Sequence, residues 1–561
     1  MPYDLKSAKA PRLTGAGLSA AVALLENSAS RALLSPGLIR DTGVAAFRKI
    51  ALAEPPSVAP RLPRPASMST AAAAAETDLA ALARAREITG FRFETVGDFA
   101  RAYREERTTP LEVAEKLFAA LDEAERRSPK MRAIVAARRD DAFAQAKAAT
   151  ARHKAGAALG PLDGVPVAVK DELDVLGYAT TAGTRFLAQV ATADATAVAR
   201  LRAQGAVLFG KANMHEIGID TSGFNPHYGT PRNPYDVSRY TGGSSSGSGA
   251  AVAAGLCPIA VGADGGGSIR IPAALCGVTG LKATFSRISE AGAYPLCWSI
   301  GHAGPLAATV ADLAIAYAVM AGPDPRDPGT LHQPAPQPIA LDRGDLQGVR
   351  LGIYTEWLQD AQPAVVASVK AMVKTLAARG ATIVEIEIPE LELCRLGHAL
   401  TILSEMGVSM DPFFARHRKD LGFGTRMNLA LARELTARDY VRAQQVRTRM
   451  TSHFERILAD VDAIVTPTTA WTAPAIRPDV IPHGESDLEL TSALMRFVFP
   501  SNLTGHPAVT VPCGYDPAGL PIGLQLIGRA WDEHRLLAFA AVVEDAVPRR
   551  APQVHWRLLP A

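Results

Sequence analysis

The sequence predicts an α/β protein with a central sheet covered by helices on both faces, preceded by a helical arm. Three observations carry that expectation. From about residue 91 onward, short apolar runs alternate with helix-period stretches, the pattern of strands and crossover helices. Several of those helices carry start and stop chemistry in the expected places. Residues 1–90 differ from the rest, with an uncharged run from Leu13 to Leu25 and a cluster of prolines. The chain therefore divides into an arm with a proline-rich connector, 1–90, and a main unit, 91–561.

In the arm, Leu18, Val22, Leu25, Ala29 and Leu33 recur at three-to-four spacing and predict an amphipathic helix broken by Pro36-Gly37. Val44, Phe47 and Ile50 predict a second, short helix. Pro55, Pro56, Pro60, Pro63 and Pro65 predict an extended connector, and residues 70–86 an alanine-rich helix. Residues 13–50 could pack on the body or lie on a membrane surface as a paddle or lid. The weak polar face fits packing at least as well as an interfacial helix.

In the main unit, Thr109-Pro110-Leu111-Glu112 reads as a capping box with proline at the first helical position. Val165–Val169 reads as a buried strand. Asp194 is expected to cap a helix through Ala203, with Gly205 ending it and Ala206–Phe209 following as a strand. Further on come a strand Val349–Tyr354, a helix Val365–Ala378 and a strand Thr382–Ile388.

Composition excludes several classes. With 59 Lys+Arg against 56 Asp+Glu the net charge is +3 over 561 residues, too weak a field for nucleic acid to be the expected partner. Five widely spaced cysteines with no CxxC suggest neither a disulfide framework nor a zinc site, so a reducing, cytoplasmic location is expected. No metal or cofactor is called for. No uninterrupted apolar run reaches the roughly 18 residues of a spanning helix.

Three segments carry chemistry. Tyr240–Gly249 (YTGGSSSGSG) could be a flexible linker, but it runs directly into Ala250–Gly255, a helix start built on small residues with free N–H groups. Gly262–Pro272 (GADGGGSIRIP) follows an apolar strand. Its three consecutive glycines expose N–H groups suited to an oxyanion formed when Ser268 attacks a carbonyl. Pro161–Asp171 (PLDGVPVAVKD) ends a strand on Lys170. Burial there would lower the lysine pKa and make it a base, whereas pairing with Asp171 would make it merely structural.

Together these segments resemble the signature of the amidase signature family, with further similarity in Arg202–Asn213, Val461–Thr468 and Thr504–Gly528, over about residues 91–550. The resemblance implies a single large domain with a twisted mixed sheet. It implies Ser268 as the acylated nucleophile, Ser244 as a bridging serine held by a cis Gly243–Ser244 peptide, and Lys170 as the base. It further implies oxyanion N–H groups from Gly265, Gly266, Gly267 and Ser268, and a supporting shell of Ser245, Asp264 and Arg270. It also implies a homodimer and a small-molecule amide substrate.

Within the family, Gly210–Ile219, Gly229–Pro234 and Arg239–Gly247 are most similar to plant-type fatty acid amide hydrolases. That similarity implies hydrolysis of N-acylethanolamines. Aryl acylamidases and carbamate hydrolases of the same family are the alternatives. The glutamine-hydrolysing subunit of tRNA amidotransferase fits less well, since Leu396–Ser409 does not match it. Gly243–Gly247 also satisfies G-x-S-x-G, which would make Ser245 the nucleophile of an α/β-hydrolase esterase. That motif needs a buried strand before it, and Asn233–Tyr240 is polar and turn-like.

Overall fold

The computed structural model describes residues 3–6, 11–63, 77–84, 88–342 and 344–560. Its core is an 11-stranded sheet. In chain order the strands are β1 (Ile134–Ala137), β2 (Pro166–Lys170), β3 (Val207–Ala212), β4 (Ile259–Ala263), β5 (Thr279–Lys282) and β6 (Ala303–Ala307). They continue as β7 (Arg350–Ile353), β8 (Thr382–Glu385), β9 (Ala463–Pro467), β10 (Ala508–Tyr515) and β11 (Pro521–Gly528). Across the sheet they lie in the order β8-β7-β9-β11-β10-β5-β6-β4-β2-β3-β1. β2 runs parallel to β3 and β4, and β7 parallel to β8 and β9; the other neighbours are antiparallel.

Every residue of β2, β3 and β4 is buried, as strands covered on both faces must be, and their sequences are correspondingly apolar. The register pairs Val169 with Val261, so the C-terminal ends of β2 and β4 emerge side by side. Ligands of open α/β sheets bind at such strand ends. Here that edge delivers Lys170 from β2 and the Asp264–Ser268 loop from β4.

The Gly/Ser segment is structure rather than linker. It leads into a helix, Ser246–Ala253, whose eight residues are all buried. A Cβ at Gly247 would lie 2.2 Å from Ala133 O and 2.3 Å from Asn213 N, so only glycine lets this helix meet the neighbouring backbone.

Helix Pro110–Arg126 begins with the expected box: Thr109 Oγ1 accepts from Glu112 N–H, and the Glu112 carboxylate accepts from Thr109 N–H. Asp194, in contrast, does not cap Thr196–Ala203. Its carboxylate accepts from Leu176 N–H and pairs with Arg202 at 2.6 Å instead. The strand expected over Thr382–Ile388 stops at Glu385.

The arm departs further from its sequence reading. Leu13–Thr14 pairs as a short strand with Glu485–Ser486, and helices follow at Gly15–Glu26, Ser28–Asp41 and Val44–Phe47. The break falls at Asn27, not at Pro36-Gly37. Asn27 Oδ1 accepts from the N–H groups of Ala29 and Ser30 and so starts the second helix. Leu18, Val22 and Leu25 are buried as predicted, but Leu33 is 83% exposed. Most of the alanine-rich helix expected over 70–86 lies outside the described residues; one turn, Leu79–Leu82, is described.

The arm is clamped to the body by ion pairs. Arg12 holds Asp479 and Glu485, Glu26 pairs with Arg426 at 2.7 Å, and Arg48 with Asp439 at 2.7 Å. Phe47 and Val44 enter an apolar cluster with Trp357 and Leu396. Among the described residues, no helix is long and apolar enough to cross a membrane.

Candidate active site

Lys170, Ser244 and Ser268 line one cavity of about 110 Å³ at the C-terminal ends of β2 and β4. Lys170 is 1% exposed. Its Nζ donates to Ser244 Oγ at 2.8 Å and to Ala263 O at 3.2 Å. The Gly243–Ser244 peptide is cis. Ser268 borders the same cavity, and among the described residues its hydroxyl has no hydrogen-bond partner. Its backbone carbonyl is tied to the second segment, accepting from Ser245 N–H at 3.2 Å.

Asp171 is not the partner of Lys170. It pairs with the buried Lys211 at 3.4 Å, while the Glu172 carboxylate lies 2.7 Å from Lys170 Nζ. Sequence reading missed Glu172. Two residues past a strand end, its direction depends on a turn closed by Leu173 N–H donating to Lys170 O.

The Asp264–Ser268 loop is braced from below. Asp264 Oδ1 accepts from Gly267 N–H at 2.6 Å, Oδ2 accepts from Ile269 N–H, and both oxygens accept from the Arg270 guanidinium at 3.0 Å. Arg270 also donates to Val498 O, Ser501 Oγ, Gln525 Oε1 and Asn502 Oδ1. Burial by itself would raise the Asp264 pKa. The Arg270 charge, with Asn502 and Lys282, holds it well below the usual carboxylate range.

This bracing divides the four expected oxyanion donors. The Gly267 N–H is already given to Asp264, whereas those of Gly265, Gly266 and Ser268 have no acceptor among the described residues. Gly267 itself sits at φ +112°, and a Cβ there would be 2.4 Å from the Val498 side chain. That conformation and that contact explain why glycine precedes the serine.

Ser245 is placed as a brace. Fully buried, its hydroxyl donates to Ala263 O at 3.1 Å and accepts from Ala263 N–H at 3.3 Å. The strand before it, Asp236–Tyr240, belongs to a two-stranded ribbon with Arg232–Asn233 and not to the central sheet. A nucleophile elbow rises from a central-sheet strand, so this geometry does not supply one.

A family model described as Amidase matches residues 115–537. The chain belongs to the amidase family. Over 99% of this amidase and 96% of the relative, it is 38% identical to a fatty acid amide hydrolase of Arabidopsis thaliana. It is also 38% identical to a glutamyl-tRNA(Gln) amidotransferase subunit of Chloroflexus aggregans, over 76% of this chain and 91% of that one. The native peptide amidase of Stenotrophomonas maltophilia superposes with a TM-score of 0.70 at 29% identity, covering 82% of this chain and 98% of that one. The protein is an amidohydrolase with the amidase-signature α/β fold.

Other residues of the amidase's cavity were not legible in the sequence. Glu290, Leu296, Ile402 and Met406 also line it. Burial, reinforced by the nearby Glu172, Asp327 and Glu405, pushes the Glu290 carboxyl up to about 8. His398 donates from Nε2 to Gly265 O at 2.8 Å. The His398–Gly265 contact joins residues 133 positions apart, and no local pattern marks it.

Proposed function

We propose that this amidase cleaves linear amides with apolar acyl groups, of the N-acylethanolamine type, through a Ser268–Ser244–Lys170 relay. The observation that carries the relay is the 2.8 Å Lys170–Ser244 hydrogen bond opening onto the cavity shared with Ser268.

In this reading Lys170, once it has given up an ammonium proton, accepts the Ser244 hydroxyl hydrogen along that same 2.8 Å contact as Ser244 takes the proton of Ser268. The Ser268 oxygen attacks the amide carbon. The resulting oxyanion is received by the N–H groups of Gly265, Gly266 and Ser268, the three without another acceptor. A proton then travels back along the relay to the leaving nitrogen, the C–N bond breaks, and the acyl group stays on Ser268. Water, activated by the same relay, releases the acid and restores the serine. Glu172 would stabilise Lys170 while it carries the transferred proton.

The apolar wall supports the acyl preference. A cavity of about 110 Å³ holds the reacting bond but not a long chain. Leu296, Ile402 and Met406 continue from it into an apolar cluster with Met410 and Phe414 along helix Leu391–His417. Methionines yield to a guest chain at little cost, and each buried methylene contributes about 0.8 kcal/mol. Leu24, Leu33 and Leu34 face outward from the arm and favour a peripheral membrane contact there. The family resemblance favours a homodimer.

A series of N-acylethanolamides of increasing acyl length tests the substrate reading, run beside an anilide and an aryl carbamate. The expected result is a kcat/KM that rises with chain length and exceeds that of the anilide and carbamate. A flat series with faster anilide hydrolysis would assign the enzyme to the aryl acylamidase type.

A further inference from the structure

The loop that presents the oxyanion donors is held from two sides, and only one of them belongs to the signature segments. On the signature side, Asp264 takes the Gly267 N–H. On the other, the buried His398 of helix Leu391–His417 reaches across to Gly265 O at 2.8 Å. A carbonyl oxygen can only accept, so His398 Nε2 carries the hydrogen. Burial also lowers the His398 pKa to about 4, which keeps the ring neutral at physiological pH.

The peptide joining Gly265 to Gly266 is trans, so its C=O and N–H point in opposite directions. Fixing the carbonyl toward His398 therefore turns the Gly266 N–H away from the helix. The fit leaves little freedom. A Cβ at Gly266 would lie 3.0 Å from His398 Cε1 and 2.9 Å from Met495 Cε, and one at Gly265 would lie 2.8 Å from Cys297 Sγ. His398, Ile402 and Met406 follow one another at intervals of four on a single helix face, and the last two line the cavity beside Ser268.

We propose that His398 is a positioning residue for amide hydrolysis: its Nε2–H bond to Gly265 O sets the plane of the Gly265–Gly266 peptide and so aims the Gly266 N–H at the developing oxyanion. The assignment rests on the reading of Ser268 as nucleophile. His398 is not among the side chains that line the cavity. Its effect is therefore on kcat, and it is the same for every acyl chain, whereas damage to the Ile402–Met406 wall would grow with chain length.

The test compares wild type with His398→Leu, which removes the donor at similar size, and His398→Gln, whose amide can donate from near the Nε2 position. Both are assayed on a long-chain and a short-chain N-acylethanolamide. The Leu variant should lose kcat by ~10–100-fold, less than the 10²–10³ of deleting an oxyanion donor outright. KM should stay within about threefold on both substrates, and Gln should recover most of the loss. A trifluoromethyl ketone of the same acyl chain, which forms the tetrahedral adduct, should lose affinity in parallel with kcat/KM.

If His398→Leu does not fold, His398→Asn, too short to reach Gly265 O, is expected to give the same loss. Unchanged kcat, a loss confined to KM or to the long chain, or no recovery with Gln would overturn the assignment. A Ser268→Ala control separates the two claims. Turnover abolished there, with kcat unchanged in His398→Leu, refutes His398 alone. Turnover surviving in Ser268→Ala refutes the reading of the site and the His398 assignment with it.

Discussion

The Asp264–Arg270 core and the N-terminal arm are fastened by opposite means. In the core, Arg270 is wholly buried and donates to five different partners, with Asp264 as its counter-charge. The arm relies on partly exposed ion pairs, such as Arg31–Glu434 and Arg12–Asp479, together with a few inserted apolar side chains. A buried network tolerates no missing member, because each lost partner strands a desolvated group. Exposed pairs can be removed singly at little cost. The contrast places rigidity at the Asp264–Ser268 loop and tolerance at the arm.

The largest effect is expected in the core. Arg270→Met keeps the length of the side chain but leaves the Asp264 carboxylate buried without its counter-charge, at a cost of about 3–5 kcal/mol. Urea unfolding should show that loss, and hydrolysis should fall with it. A loss below about 1 kcal/mol would mean that the network is not what holds the loop.

A smaller, pH-dependent effect is expected at Glu290, on the cavity wall. In the unfolded chain this group ionises near 4.5, while in the folded protein it keeps its proton to about 8. Between those values the folded state binds more protons, so this group lowers stability as pH rises from about 4.5 to 8 and adds no further slope above. Glu290→Gln removes the titration. The variant should melt above wild type at pH 8, and the gap should close toward pH 4.5. A gap independent of pH would contradict the assignment.

The smallest effects belong to the arm. Arg31→Ala removes the pair with Glu434, in which both side chains are 25% exposed, and should cost at most about 1 kcal/mol, reduced further by salt, with turnover of a short-chain amide unchanged. Leu33→Ser should not alter stability in solution, since the side chain is 83% exposed. It should weaken sedimentation of the protein with anionic lipid vesicles if the arm meets a membrane. Equal sedimentation of both proteins would leave the arm a purely structural role.

These two regions also differ in what could be read from the sequence. The core's chemistry lay in contiguous segments: three glycines before Ser268 and a lysine closing an apolar strand are a rare combination in a purely structural loop. Local rules worked where the partner is local, as in the Thr109–Glu112 box. They failed where a tertiary partner decides. The helix that Asn27 starts runs on through Pro36-Gly37, and Leu33 on it points to solvent while Arg31 reaches Glu434 of the body at 3.0 Å. The Gly267 N–H goes to Asp264, three residues earlier, at 2.6 Å, a contact the run of glycines does not itself announce. Glu172, His398 and Asn502 reach the site from a turn and two helices, and no spacing in the chain announces that.

In the proposed mechanism Ser268, not Ser245, carries the acyl group. It is tested most directly by treating the protein with a fluorophosphonate and mapping the adduct by peptide mass spectrometry. One adduct is expected, on Ser268, absent from Ser268→Ala and strongly slowed in Lys170→Ala. An adduct on Ser245, or equal labelling of wild type and Ser268→Ala, would contradict it.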